Sequence, residues 1–104
     1  MTTDRMKQLE KLLAAEPNDV FCLYGLAMEH AKSGAAAEAL RYFDQVIAAD
    51  PGYCYAYFHK AKVLEAQGEI ENAVSTLRTG LSRAQMRHDS QAVNEISAFL
   101  DELT

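Results

Sequence analysis

Residues 17–34 read PNDVFCLYGLAMEHAKSG, and residues 51–68 read PGYCYAYFHKAKVLEAQG. Each stretch begins with a proline and ends with a glycine, and the distance from Pro17 to Pro51 equals that from Gly34 to Gly68, at thirty-four positions. A fixed period of this length is typical of a repeat architecture, in which each repeat forms one supersecondary unit. We therefore interpret the chain as a tandem repeat with this period.

Each repeat contains two helical patterns separated by a glycine. Apolar and small residues recur at three- and four-residue steps, which is the spacing of one helix face. In the first repeat they are Leu23, Leu26 and Ala27, then Leu40, Phe43, Val46 and Ile47. Gly34 and Gly68 are predicted to end the first helix of each pair in a left-handed conformation, which glycine adopts without a Cβ clash. Because proline cannot continue a helix, Pro17 and Pro51 are placed in the turns between antiparallel helix hairpins.

Helical patterns also flank the two repeats. Met6, Leu9, Leu12 and Leu13 stand one repeat period before Leu40, Phe43, Val46 and Ile47, the apolar positions of the second helix in the first repeat. This register predicts the second helix of a partial repeat. At the other end, an apolar stripe follows Asp89-Ser90, which is a helix-start signal and predicts a capping helix.

The domain organisation follows from these assignments. We expect a single all-α domain over residues 1–104, with about six helices. Its parts are a partial repeat helix at 5–17, repeats at 20–53 and 54–87, and a capping helix at 89–103. Since Gln85 stands where a second closing proline would fall, the helix from Ile70 is expected to run on to about Arg87.

The pattern resembles the tetratricopeptide repeat (TPR) in its small bacterial-type form, over about residues 5–85. In the first repeat the positions of the family pattern are filled by Leu23, Leu26, Ala27, His30, Ala39, Phe43 and Pro51. In the second they are filled by Tyr57, Lys60, Ala61, Leu64, Ala73 and Leu77. The departures from the usual residues are His30, Lys60 and Gln85. The resemblance implies a short right-handed superhelix of stacked hairpins that binds another protein.

The resemblance also implies a binding groove, because the first helix of each pair lines a concave face in this family. The groove positions that we carry over are Phe21, Tyr24, Met28, Lys32, Tyr55, Phe58 and Lys62, with Ala31, Glu65 and Ala66 beside them. Aromatic side chains are favoured anchors for a partner. Two interpretations stay open: the aromatics bind an apolar peptide or helix, with a lysine meeting an acidic group, or Tyr24 and Phe58 only support neighbouring helices.

One family mode, in which Lys, Asn and Arg grip a C-terminal carboxylate, is not expected. Tyr24, Met28 and His59 occupy places where that clamp would use Lys and Asn. The predicted partner is therefore an apolar segment of a protein that the sequence does not identify. The alternative is a structural protein that self-associates as a weak homodimer through its terminal helices.

The charge of the chain argues against nucleic acid as a partner. Its net charge is −5 and its isoelectric point is near 5.1, whereas binding to a phosphate backbone rests on clustered Lys and Arg. We also find no run of apolar residues long enough for a membrane span or a signal peptide, so a cytoplasmic protein with no membrane partner is expected.

No catalytic, cofactor or metal motif is present in the sequence. His30, His59 and His88 are evenly spaced, but their interval does not match the repeat period and gives no short ligand spacing. Cys22 and Cys54 lack the Cys-x-x-Cys spacing and are interpreted as packed thiols. A redox pair would need their Cα atoms within about 7 Å. We expect no enzyme activity, no cofactor and no metal.

Overall fold

The computed structural model describes residues 3–104, and over that range it contains six α-helices and no strand. They are α1 (Asp4–Ala15), α2 (Val20–Lys32), α3 (Ala36–Ala49), α4 (Cys54–Ala66), α5 (Ile70–Met86) and α6 (Ser90–Leu103). The predicted all-α class and the number of helices are confirmed. The helices fall into two compact units, of which the first ends at Asp50 and the second spans Pro51–Thr104.

In the first unit, α2 packs against both α1 and α3. The Asp19 carboxylate accepts a hydrogen bond from the Cys22 amide at 3.1 Å, which caps α2. Gly34 ends the hairpin turn at a φ of 81°, in the left-handed region expected for it. The predicted apolar face is buried, with Leu26, Ala27 and Phe43 fully shielded from solvent.

The terminal helix α1 follows the repeat register only in part. Met6 and Leu9 are buried in a cluster with Leu26, but Leu12 is 56% exposed. Its counterpart in the repeat, Val46, is fully buried. Leu12 lies outside the strip of α1 that packs on α2, and a helix at the end of a repeat array has fewer neighbours to cover its other sides.

An ion pair explains how α1 tolerates a charged residue at a position that is alanine in both repeats. Arg5 Nε lies 3.0 Å from Glu29 Oε1 on α2. The Arg5 side chain is 57% exposed, so its charge stays largely hydrated while it contacts the less exposed Glu29. A surface ion pair of this kind contributes up to about 1 kcal/mol to the free energy of unfolding. Its main effect is to fix the position of α1 against α2.

In the second unit, α5 packs against α4 and α6, and α6 also touches α4. The close approach of α4 and α5 depends on Gly80, where an added Cβ would lie 2.6 Å from Tyr57 Cβ. Gly80 therefore permits the close packing of these two helices. The buried Tyr57 places its hydroxyl at the start of the unit, where it donates a hydrogen bond of 2.6 Å to the Pro51 carbonyl.

The α5–α6 connection differs from the hairpin turns. Helix α5 has 17 residues against 14 in α3, which confirms the extension expected from the absence of proline at Gln85. His88 then takes the left-handed position, at a φ of 56°, that Gly34 and Gly68 occupy in the hairpins. Asp89 caps α6 by accepting a hydrogen bond from the Ala92 amide at 3.1 Å. Over residues 3–104, no helix is both long and apolar enough to cross a membrane.

Candidate functional site

The seven predicted groove residues lie on two helices, one in each unit. Helix α2 carries the first four, and α4 carries the other three. The two sets are at equivalent places in the repeat, because Phe21, Tyr24 and Met28 stand one repeat period before Tyr55, Phe58 and Lys62.

The first set combines exposed and packed side chains. Phe21 is 69% exposed, and Lys32 is also exposed at the end of α2. Met28 is half-buried. Tyr24 is half-buried too and meets the ring of Phe43 edge-on, with centroids 6.2 Å apart. Phe21 therefore presents an aromatic ring to solvent, whereas part of Tyr24 supports its own hairpin.

The second set lines a cleft between α4 and α6, with a volume of about 590 Å³, which we call the α4–α6 cleft. It is formed by Tyr55, Phe58, His59, Lys62, Glu65, Glu95, Ala98, Phe99 and Glu102. All three predicted residues of α4 are thus brought together, and α6 supplies the opposite wall.

Phe58 is the centre of the aromatic part of the cleft. Its ring lies 5.6 Å from the ring of Phe99 on α6 and 6.3 Å from that of Tyr55, both edge-on. The His59 ring lies 5.2 Å away on the same helix. The Lys62 ammonium is placed 5.2 Å from the centroid of Phe58, over its face, in a cation–π arrangement. Phe58 therefore packs the unit together and also lines the cleft.

Two side chains of the cleft have shifted acidity. Burial and the hydrogen bond of its hydroxyl to the Glu95 carboxylate raise the pKa of Tyr55 to about 12. Burial lowers the pKa of His59, and the positive charge of Lys62 adds to that effect against the opposing influence of Glu95. At neutral pH the tyrosine is therefore a neutral hydrogen-bond donor, and the neutral form of the histidine is favoured.

Sequence reasoning missed the residues that α6 contributes. It predicted a helix at 89–103, where α6 lies, but assigned no binding role to Glu95, Ala98, Phe99 or Glu102. These four residues recur at steps of three, one and three, which is the spacing of one helix face. That face mixes carboxylates with an aromatic side chain, and this mixture was the available signal. The pattern could not say which helix the face would meet.

The histidines and cysteines occupy separate environments. The ring of His30 stacks on Tyr42, with centroids 5.5 Å apart and planes 6° from parallel. Among residues 3–104 no group of three or more His, Cys, Asp or Glu side chains is arranged to hold a metal ion. Cys22 and Cys54 are buried thiols outside any disulfide, and burial together with nearby Asp19 raises the pKa of Cys22. A raised thiol pKa lowers the thiolate fraction and hence reactivity.

Comparisons with known proteins agree with the repeat architecture. TPR repeat-containing protein PA0015 of Pseudomonas aeruginosa is 28% identical over 91% of this chain and 90% of its own length. The solution structure of protein BPP2914 from Bordetella parapertussis is 29% identical, with a TM-score of 0.84 over 99% of this chain and 89% of that one.

A more distant structure shows the same fold. The TPR2B domain of yeast Sti1, solved in complex with pHsp70, has a TM-score of 0.88 at 22% identity, over 94% of this chain and 78% of that one. The family profile described as tetratricopeptide repeat matches residues 30–93, which is more than half of the chain. This chain therefore belongs to the tetratricopeptide repeat family.

Proposed function

We propose that this chain is a non-enzymatic protein-interaction module, which binds an apolar peptide or helix of a partner protein through the predicted groove residues of α2 and α4. The observation that carries the proposal is the α4–α6 cleft, which is partly aromatic and is lined by three of those residues. Aromatic side chains bury much surface with few rotatable bonds, which makes them favoured anchors in interfaces.

Phe21 supplies a second support in the first unit. A phenylalanine that is 69% exposed leaves most of its apolar surface in water, and burial of such a ring under a partner contributes about 1.5–3 kcal/mol. Two or three anchors of this size offset an association cost of at least about 4 kcal/mol. The anchors alone leave at most about 5 kcal/mol, so the micromolar dissociation constants that we expect, near about −8 kcal/mol of binding free energy, require further contacts around them.

The comparisons support an interaction role at the level of the fold. The yeast Sti1 domain was solved with pHsp70 bound, so a TPR fold of this kind is compatible with holding a partner. A fold hosts many functions, however, and the residues that bind have to be tested on this chain.

The proposal is tested by selecting peptides from a random display library on the full chain and measuring the dissociation constant of a selected peptide by fluorescence anisotropy. Phe21→Ala or Tyr55→Ala is expected to weaken binding by at least about tenfold, which corresponds to about 1.4 kcal/mol. Met86→Ala is the matched control, because Met86 is 67% exposed and lies outside the predicted groove. Unchanged affinity in both groove variants would contradict the assignment.

Self-association through the terminal helices is a second candidate, and the exposure of Leu12 on α1 favours it. Exposed apolar side chains at the end of a repeat array can pair with a second copy. Light scattering across concentration distinguishes the two functions. A monomer at all concentrations supports the interaction module, whereas a stable dimer that Leu12→Gln dissociates supports self-association.

A further inference from the structure

The α4–α6 cleft carries a charge that an apolar partner alone does not explain. Three of its lining residues are carboxylates, Glu65 on α4 and both Glu95 and Glu102 on α6. Lys62 is the cationic side chain in the same lining. At neutral pH the cleft therefore has an excess of negative charge beside its aromatic walls, within a chain whose net charge is −5.

The two basic side chains of the cleft, Lys62 and His59, do not offset this negative charge. The Lys62 ammonium lies over the face of Phe58, where the ring quadrupole attracts it. His59 favours its neutral form because burial lowers its pKa. Lys62 thus lies over an aromatic ring, and its single positive charge does not balance the three carboxylates.

Glu95 is hydrogen-bonded to two neutral side chains. It accepts a hydrogen bond from the Gln91 amide at 3.4 Å and another from the Tyr55 hydroxyl. Both donors are neutral, so neither hydrogen bond brings a positive charge to the carboxylate. Because Glu95 is half-buried, its field is screened less by solvent than that of a fully exposed residue.

We infer that the α4–α6 cleft binds a peptide segment that places a lysine or arginine side chain beside an apolar one. The cationic head of the ligand pairs with Glu95 or Glu102, while its apolar neighbour covers the half-buried ring of Phe58 beside Phe99. Arginine suits this site well, since its planar guanidinium both pairs with carboxylates and stacks on aromatic faces. The inference rests on the proposed function and reverses the ligand charge that Lys62 by itself suggests.

The charge preference is tested by parallel selection of random displayed peptides. One selection uses the wild-type chain, and the other uses the Glu95→Gln/Glu102→Gln double variant, which keeps the shape of both side chains. Peptides enriched on the wild type are expected to carry Lys or Arg next to an apolar residue, and the double variant is expected to lose that excess. Enriched peptides without a basic excess, or an excess that the double variant retains, would overturn the inference alone. The absence of any enriched peptide would instead count against the proposed function and remove the basis of the inference.

Affinity measurements with one basic peptide from the wild-type selection complete the test. The double variant is expected to bind it about threefold to tenfold more weakly, which is the range of one or two solvent-accessible ion pairs. Lys62→Met, which retains an apolar side chain over Phe58, is expected to bind it about twofold to threefold more tightly. Glu38→Gln on α3 is the matched control, since Glu38 is exposed and lies in the first unit. Binding by the double variant within about twofold of the wild type would overturn the inference, and thermal unfolding of each variant verifies that the fold is retained.

Discussion

The first and second units use equivalent repeat positions in different ways. Phe21 and Tyr55 are separated by one repeat period, yet Phe21 is 69% exposed and Tyr55 is half-buried beside Glu95. Tyr24 and Phe58 are likewise equivalent. Tyr24 meets a ring of its own hairpin, whereas Phe58 also meets a ring of the following helix, α6.

The difference teaches that a repeat position does not have a fixed environment. The second hairpin is followed within its unit by α6, which packs on α5 and touches α4. The first hairpin is instead preceded within its unit by α1, which packs on α2. The same pattern of aromatic residues therefore yields an exposed ring on α2 and a cleft wall on α4.

The largest expected effect comes from the equivalent aromatics Tyr24 and Phe58. Phe58→Ala is expected to lower the free energy of unfolding by about 2–3 kcal/mol, because the missing ring leaves a void on the side that faces α6 as well as beside its neighbouring side chains on α4. Tyr24→Ala is expected to cost about 1–2 kcal/mol. Urea denaturation measures both values, and a greater loss in Tyr24→Ala would contradict the comparison.

A single transition is expected for the predicted single domain, whereas two separate transitions would show that the units unfold independently.

A smaller effect is expected at the two helix-packing glycines. In Gly80→Ala the new Cβ meets Tyr57 Cβ, which is fixed near the backbone, so overpacking is expected to cost about 1–2 kcal/mol net of the gain in helix propensity. In Gly25→Ala the new Cβ meets a terminal methyl of Leu9 at 3.0 Å, and that side chain can rotate away. Because the cost of this rotation largely cancels the gain in helix propensity, we expect a change within about 0.5 kcal/mol. Thermal unfolding followed by circular dichroism compares the stability of the two variants. Equal losses of stability would contradict the expectation that Gly80 is packed more tightly than Gly25.

The smallest effect is expected at the left-handed turn positions. Gly34 and Gly68 occupy theirs without strain, but His88 holds a φ of 56° at the end of α5. His88→Gly is expected to raise the free energy of unfolding by about 0.5–1 kcal/mol, since it removes a left-handed cost of about 1–2 kcal/mol and adds part of that amount in chain entropy. His88→Ala is the control, because it removes the imidazole but keeps the Cβ. An equal gain in both variants would show that the backbone conformation is not the cause.

Much of the architecture could be predicted from local signals. Gly34 and Gly68 were expected in left-handed turns and are found there, and the missing proline at Gln85 correctly predicted a longer α5. The buried face that includes Leu26 and Ala27 also followed from helical periodicity. Such features depend on neighbouring residues of the chain, so a sequence contains them directly.

Features that depend on distant residues could not be predicted in the same way. Leu12 matches the repeat register but is exposed, because no helix within residues 3–104 covers that side of α1. His88 gave no sign of a left-handed conformation, which is set by the connection between α5 and α6. The sequence predicted that the carboxylates of α6 lie on a helix, but it did not indicate that they would lie beside α4.

The sequence by itself therefore determined the repeat period, the helices, their turns and the family, because each rests on spacing and local backbone preference. Only the tertiary structure decided that Phe58 would meet Phe99, that Glu95 and Glu102 would face the predicted groove residues of α4, and that Phe21 would stay in solvent. The physical reason is that packing and charge at a site depend on which helices come together in space. Periodicity in the sequence identifies the apolar face of each helix, whereas the packing of the unit determines which helix that face contacts.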